Sequence, residues 1–175
     1  MDNLKEIYKP VIQKIIDNNK KFYNFSNLVE WDFFENENIA IVGKCQSDFK
    51  LYININSVHF AYSINEPLQI EYFLLHEIRH IYQKRLIYDY ELKNINKPLA
   101  DLWKKELQTY KNTEACINNY YQQNIEFDAY SFSYAVMIYK YGNINYIIPP
   151  KCYRDQIQFK ERVNKLLCLF KSKNF

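Results

Sequence analysis

A mostly helical α+β domain, with a small antiparallel sheet ahead of a central helix, is the fold this sequence predicts. Three observations predict it. Apolar residues recur at three- and four-residue spacing in five long stretches, period-two alternation is confined to residues 39–63, and no internal repeat or linker divides the chain. With 175 residues, 48% of them hydrophobic, the chain can bury one sizeable core, so residues 1–175 are expected to form a single domain. Its 17 Tyr and 12 Phe against 2 Gly make that core aromatic-rich.

Leu4, Ile7, Tyr8, Val11, Ile12, Ile15 and Ile16 place a helix over residues 3–20, with Pro10 as a kink or as its start. Residues 22–37 mix aromatic and acidic side chains without a period and read as a loop with room for a helical turn. Residues 39–42 read as a strand, Leu51, Ile53 and Ile55 as a second, and residues 43–50 as the hairpin between them. The alternating set then changes to Val58, Phe60 and Tyr62. A bulge or tight turn near residues 56 and 57 would produce that change and leave a third extended segment over 58–63.

Glu66-Pro67 opens the central helix, residues 67–88, because proline is favoured at a first helical position. Asn96-Lys97-Pro98 opens another, with Leu99, Leu102, Trp103, Leu107 and Tyr110 as its buried stripe. Residues 112–123 are polar and read as a loop or a helix extension. Ile125, Ala129, Phe132, Val136 and Tyr139 mark a helix that ends at Gly142. Residues 147–152, with two prolines, form an extended connection, and a last helix covers 153–170 on Ile157, Val163, Leu166, Leu167 and Phe170.

A net charge of +3 without a dense Lys/Arg run gives no nucleic-acid surface. The cysteines, at 45, 116, 152 and 168, form no C-x-x-C pair, which argues against a zinc ribbon and for reduced thiols inside a cell. Asp2, Glu6 and Asp17 interrupt the first 21 residues, so no signal peptide is expected there, and no run of 18 apolar residues is present to span a membrane. A soluble, cytoplasmic protein is the expectation.

The most informative stretch is His76-Glu77-Ile78-Arg79-His80, an H-E-x-x-H pattern in a chain with only three histidines. Two histidines four apart lie one above the other on the same side of an α-helix, so both imidazoles can reach one metal ion. Glu77 sits about 100° round from His76, where it can hold a water without ligating the ion. One rigid element thus supplies two zinc ligands and a general base for hydrolysis. Arg79 projects from the opposite flank of the histidine face to Glu77 and is expected to bridge a nearby acid. A catalytic zinc needs a third protein ligand, for which Glu126, Asp128 and His59 are the candidates. Residues two apart on a helix point about 200° from each other, so only one of Glu126 and Asp128 can face the ion. Glu126 is preferred, since it shares a face with Tyr130 and Ser133, whereas Asp128 falls nearer the apolar side with Phe132.

His76-Glu77-Ile78-Arg79-His80 followed 46 residues later by Glu126-Phe127-Asp128-Ala129 resembles the gluzincin metallopeptidases. In that family a later helix carries the ligand Glu three residues before an Ala. Small members, of the ImmA/IrrE-like and minigluzincin types from bacteria, phages and mobile elements, are similar in size and layout. The resemblance covers the two motifs and the element order between about residues 38 and 140. It implies a zincin-like fold with a strand before the active-site helix, one Zn2+ on His76, His80 and Glu126, and endopeptidase action on a peptide or protein substrate. Where many gluzincins carry an Asp four residues after the ligand Glu, as partner to a histidine, this chain has Tyr130. A partner must then come from elsewhere, such as a backbone carbonyl. In the expected mechanism zinc lowers the pKa of water to about 7 and Glu77 takes the proton as a peptide carbonyl is attacked. Tyr130, Tyr134 and His59 are the candidate donors to the developing oxyanion, and the segment 58–63 is a candidate for presenting an extended substrate. The alternative is a regulatory or binding module that keeps this fold with little or no catalysis.

Overall fold

The computed structural model describes residues 2–23, 29–45, 49–88, 97–111 and 117–175. In chain order the helices are α1 (Asp2–Asn18), α2 (Ile55–Ser63), α3 (Leu68–Tyr88), α4 (Lys97–Gln108), α5 (Ile117–Tyr121), α6 (Asn124–Tyr141), α7 (Lys151–Arg154) and α8 (Ile157–Ser172). The strands are β1 (Trp31–Phe34), β2 (Gly43–Cys45) and β3 (Leu51–Asn54). The architecture is the mostly helical α+β fold that the periodicities predict. Its sheet is mixed, in the order β1-β3-β2, with β1 parallel and β2 antiparallel to β3. The wholly antiparallel sheet expected from the sequence is therefore corrected by β1, in the region read as a loop. There Trp31 and Phe33 fall on one face at period two, with their rings edge-to-face at 5.1 Å.

Two further expectations are overturned in this region. Residues 39–42 do not pair as a strand. Ile41 N–H donates to Asn38 O, and the carbonyl of Ile41 accepts from the side chains of Asn54 (3.0 Å) and Ser57 (3.1 Å). Side-chain amides and a hydroxyl thus satisfy the backbone locally, as Asn and Ser do in turns, and the strand begins only at Gly43. Residues 58–63 lie in helix α2, not in an extended segment. Fully buried Asn54 accepts from Asn56 N–H and caps it, and Ile55, Val58 and Ala61 bury one face at three-residue spacing. Phe60, which suggested alternation, stays exposed. The change of phase after Asn56 was a change of period. Of the predicted hairpin, residues 46–48 lie outside the described residues.

Helix α3 organises the rest because its faces serve three apolar clusters. Ile70, Leu74, Ile78 and Ile81 pack with Ile12 and Ile16 of α1 and Leu51 and Ile53 of β3. Tyr72 and Leu75 join the aromatic cluster of α6 and α8. Leu86 and Ile87 meet Ala100 and Trp103 of α4. Apolar residues on several faces are what such an interior position requires. Its N-terminal turn is tied by buried Glu71, which accepts from Asn19 (2.8 Å) and Tyr141 (2.8 Å) and pairs with Lys140. One carboxylate thereby joins the end of α1, the start of α3 and the end of α6.

The remaining helices follow prediction with two corrections. The stretch read as one helix over 153–170 breaks at Asp155 and Gln156 into α7 and α8. Leu102 and Tyr110 of the stripe predicted for α4 are exposed, Tyr110 lying beyond its end. Pro10 is carried within α1 on an exposed position, where the ladder bond it removes is replaceable by water. The stripe of α8 is Phe159, Val163, Leu166 and Phe170, while Ile157 is exposed and only starts the helix. Gly142, at φ +71°, ends α6 in a conformation that L side chains rarely adopt. Among the described residues no helix is long and apolar enough to cross a membrane.

Candidate metal centre

His76, Glu77 and His80 project from the middle of α3, and Glu126 from the first turn of α6, the helix against which α3 packs most extensively. The ligand-type atoms of His76, His80 and Glu126 all lie within 4.8 Å of one another, and together they could hold a metal ion. The two Nε2 atoms are 3.0 Å apart. His76 Nε2 is 3.3 Å from Glu126 Oε2, and His80 Nε2 is 3.4 Å from Glu126 Oε1. Glu126 is wholly buried, and its Oε2 has no hydrogen-bond donor among the described residues. A buried carboxylate oxygen left without a donor is costly unless something cationic meets it.

Asp128, the competing third ligand, points elsewhere. It accepts from Arg79 Nε at 2.7 Å, from Arg162 Nη2 at 2.7 Å and from Gln83 Nε2 at 3.1 Å. The expected ion pair of Arg79 is thus with Asp128, across the α3–α6 interface. These cations hold the Asp128 carboxyl down at about 2, although burial alone would raise it. His59 is exposed on α2, 3.1 Å from Tyr8 OH, and has no part in the group.

Gln83 is a residue that the sequence reading missed. It is completely buried, and its amide group donates to Ile125 O (2.8 Å) and to Asp128. With its nitrogen so engaged, its Oε1 faces His80 Nδ1 at 2.7 Å and accepts from it. That bond assigns the proton of neutral His80 to Nδ1 and leaves the Nε2 lone pair directed at the site. The signal was present in the spacing: Gln83 follows His80 by three and His76 by seven residues, which is the same helical face. His76 is held differently. The Tyr130 ring lies 4.2 Å from it between centroids, and its buried Nδ1 has no hydrogen-bond partner among the described residues. Tyr130 therefore forms a packed wall of the site, with Tyr121 and Tyr153 behind it. Tyr134 packs on Phe159 instead, in the α6–α8 core.

Glu77 is half-buried between α3 and the edge strand β2, where its Oε2 accepts from Cys45 N–H at 3.1 Å. Lys84, two turns on, donates to Cys45 O at 2.7 Å. A Cβ at position 43 would fit tightly, 3.3 Å from Glu77 Cγ and 3.3 Å from Tyr52 O, so glycine there eases this approach. The group is also electrostatically polarised. Burial opposes the charge on both partners, yet the Glu126 carboxylate raises the His80 imidazole to about 9, and the two histidines keep Glu126 well below the usual carboxylate range.

A sign follows for metal uptake. With its imidazole raised by Glu126, metal-free His80 is expected to be protonated at neutral pH, and ligation requires it neutral, so binding a divalent cation there is expected to release about one proton from it. Calorimetry in buffers of different ionisation enthalpy measures this, and a proton count near zero at neutral pH would contradict it.

No family model, curated protein or solved structure matches this chain.

Proposed function

We propose that this protein is a zinc-dependent endopeptidase of the gluzincin kind, with His76, His80 and Glu126 as the zinc ligands. The observation that carries the reading is the convergence of two imidazole nitrogens and one carboxylate oxygen on a common point from two packed helices. Tetrahedral zinc with bonds of about 2.0–2.1 Å to nitrogen and oxygen has ligand-to-ligand edges of about 3.3–3.4 Å. The 3.0 Å between the two Nε2 atoms and the 3.3 Å from His76 Nε2 to Glu126 Oε2 lie near such edges, with His80 Nε2 3.4 Å from the other oxygen, and a set of two histidines and one glutamate suits a catalytic ion with an open position. Zinc held there supplies a Lewis acid that polarises a carbonyl and acidifies water.

The chain's own residues divide the remaining work. Gln83 fixes the His80 tautomer. Glu77, beside the ligands but not among them, accepts a proton from the attacking water and delivers it to the departing amine. An extended peptide lying along the edge strand β2, which runs against Glu77, would come within reach of that base once Glu77 and Lys84 release the Cys45 backbone, a role that α2 cannot take. Elemental analysis tests the reading: wild-type protein is expected to carry about one zinc per chain and His76→Ala none. Peptide hydrolysis should stop on chelation and return with zinc. Wild-type protein that takes up no zinc would sink the proposal.

A further inference from the structure

We infer that Tyr110 is a positioning residue for the metal centre, its hydroxyl engaging one oxygen of Glu126 so that the carboxylate meets the cation through the other. This rests on the metal reading of His76, His80 and Glu126. Tyr110 OH donates to Glu126 Oε1 at 2.6 Å, an oxygen that also lies 3.4 Å from His80 Nε2, while Oε2, 3.3 Å from His76 Nε2, has no hydrogen-bond partner among the described residues. The two oxygens of one buried carboxylate are thus given different tasks.

The arm that carries Tyr110 is built onto the start of α6. Buried Gln123, the residue before that helix, accepts from Lys111 N–H at 3.0 Å and donates to Lys111 O at 2.9 Å, a two-way bond to the backbone beside Tyr110. At the end of α4, Glu106 accepts from the first N–H groups of α6, Asn124 at 3.0 Å and Ile125 at 2.8 Å. Residues on both sides of Tyr110 are therefore fastened to the helix turn that holds Glu126. Meanwhile the Tyr120 ring meets the Tyr110 ring at 6.2 Å, edge to face. An exposed tyrosine in an unanchored loop would not keep a 2.6 Å bond to a buried acid. This one is anchored on either side.

The chemistry explains the purpose. A carboxylate free at both oxygens can swing into two-oxygen ligation and fill the position that a catalytic ion keeps open. A hydrogen bond on Oε1 opposes that swing and orients Oε2, as outer partners orient metal ligands generally. Tyr110→Phe removes only this hydroxyl, on a side chain 42% exposed, and so leaves the core intact.

The test uses cobalt(II) as the probe in wild-type and Tyr110→Phe protein. Affinity is read by competition with a chromophoric chelator, and coordination by the visible absorption of the bound ion. The variant is expected to bind about ten- to a hundredfold more weakly. Its cobalt absorption should fall in intensity, the signature of a site passing from four-coordinate towards five-coordinate. A variant with unchanged spectrum, whether or not its affinity falls, overturns the inference and leaves the metal reading standing. Wild-type protein that binds no cobalt removes both.

Discussion

Glu77→Gln is expected to keep the metal and lose the chemistry. Glu77 is not one of the three convergent ligands, so the variant should still carry about one zinc per chain. The substitution preserves size, and an amide oxygen can still accept from Cys45 N–H, now 3.1 Å from the carboxylate. What disappears is the ability to take a proton, which for a positioned general base contributes about 10²- to 10⁴-fold in rate. Metal content and peptide hydrolysis measured on the same preparation separate the two effects. Should the variant retain both its metal and its full biological effect, the alternative of a zincin-like binding or regulatory module is the better reading. The engagement of Glu77 by the Cys45 amide is the feature that favours that alternative, since it occupies one oxygen of the proposed base.

Asp128→Ala is expected to cost about 3–5 kcal/mol of stability, the range for stranding one partner of a buried ion pair. Arg79 is mostly buried between α3 and α6, with its guanidinium over the rings of Tyr82 (4.3 Å) and Phe132 (4.9 Å), contacts that it would give up by turning out to water. Arg162 is half-exposed and can turn outward, so Arg79 carries most of the penalty. Gln83 loses one of its two acceptors, which should loosen His80 and weaken metal binding as well. Chemical denaturation with a metal-affinity measurement reads both, and a loss under about 1 kcal/mol would contradict the assignment. Changing Arg79 and Asp128 together to apolar residues of similar volume should recover much of the stability. The pH dependence has a definite sign. The Asp128 carboxyl is depressed, so its contribution is complete above the ordinary carboxyl range and is lost as pH falls towards 2.

Much of the candidate site was legible in the chain because it depends on distances of three and four residues. His76, Glu77 and His80 were placed by helical geometry alone, and the same geometry separated Glu126 from Asp128, which the structure places beside the two histidines and beside Arg79 respectively. Arg79 was expected to bridge an acid, and its partner is Asp128. The boundaries of α3, α4 and α6 fell within a few residues of prediction. The sheet was far less legible. Its first strand is four residues of mixed aromatic and acidic character, and α2 carries an accidental alternation that a single N-cap at Asn54 overrides.

By itself, then, the sequence determined a helix bearing two imidazoles and an acid in fixed phase, and a second helix bearing the acid that faces them. Only the tertiary structure decided that β1 runs parallel to β3, that Gln83 orients His80, and that Tyr110 reaches Glu126. The reason is physical. Side-chain phase along a helix is set by 3.6 residues per turn, whatever surrounds it. A bond such as Tyr110–Glu126, between residues 16 apart, exists only because packing and the Gln123 and Glu106 bonds offset the entropy of closing that loop.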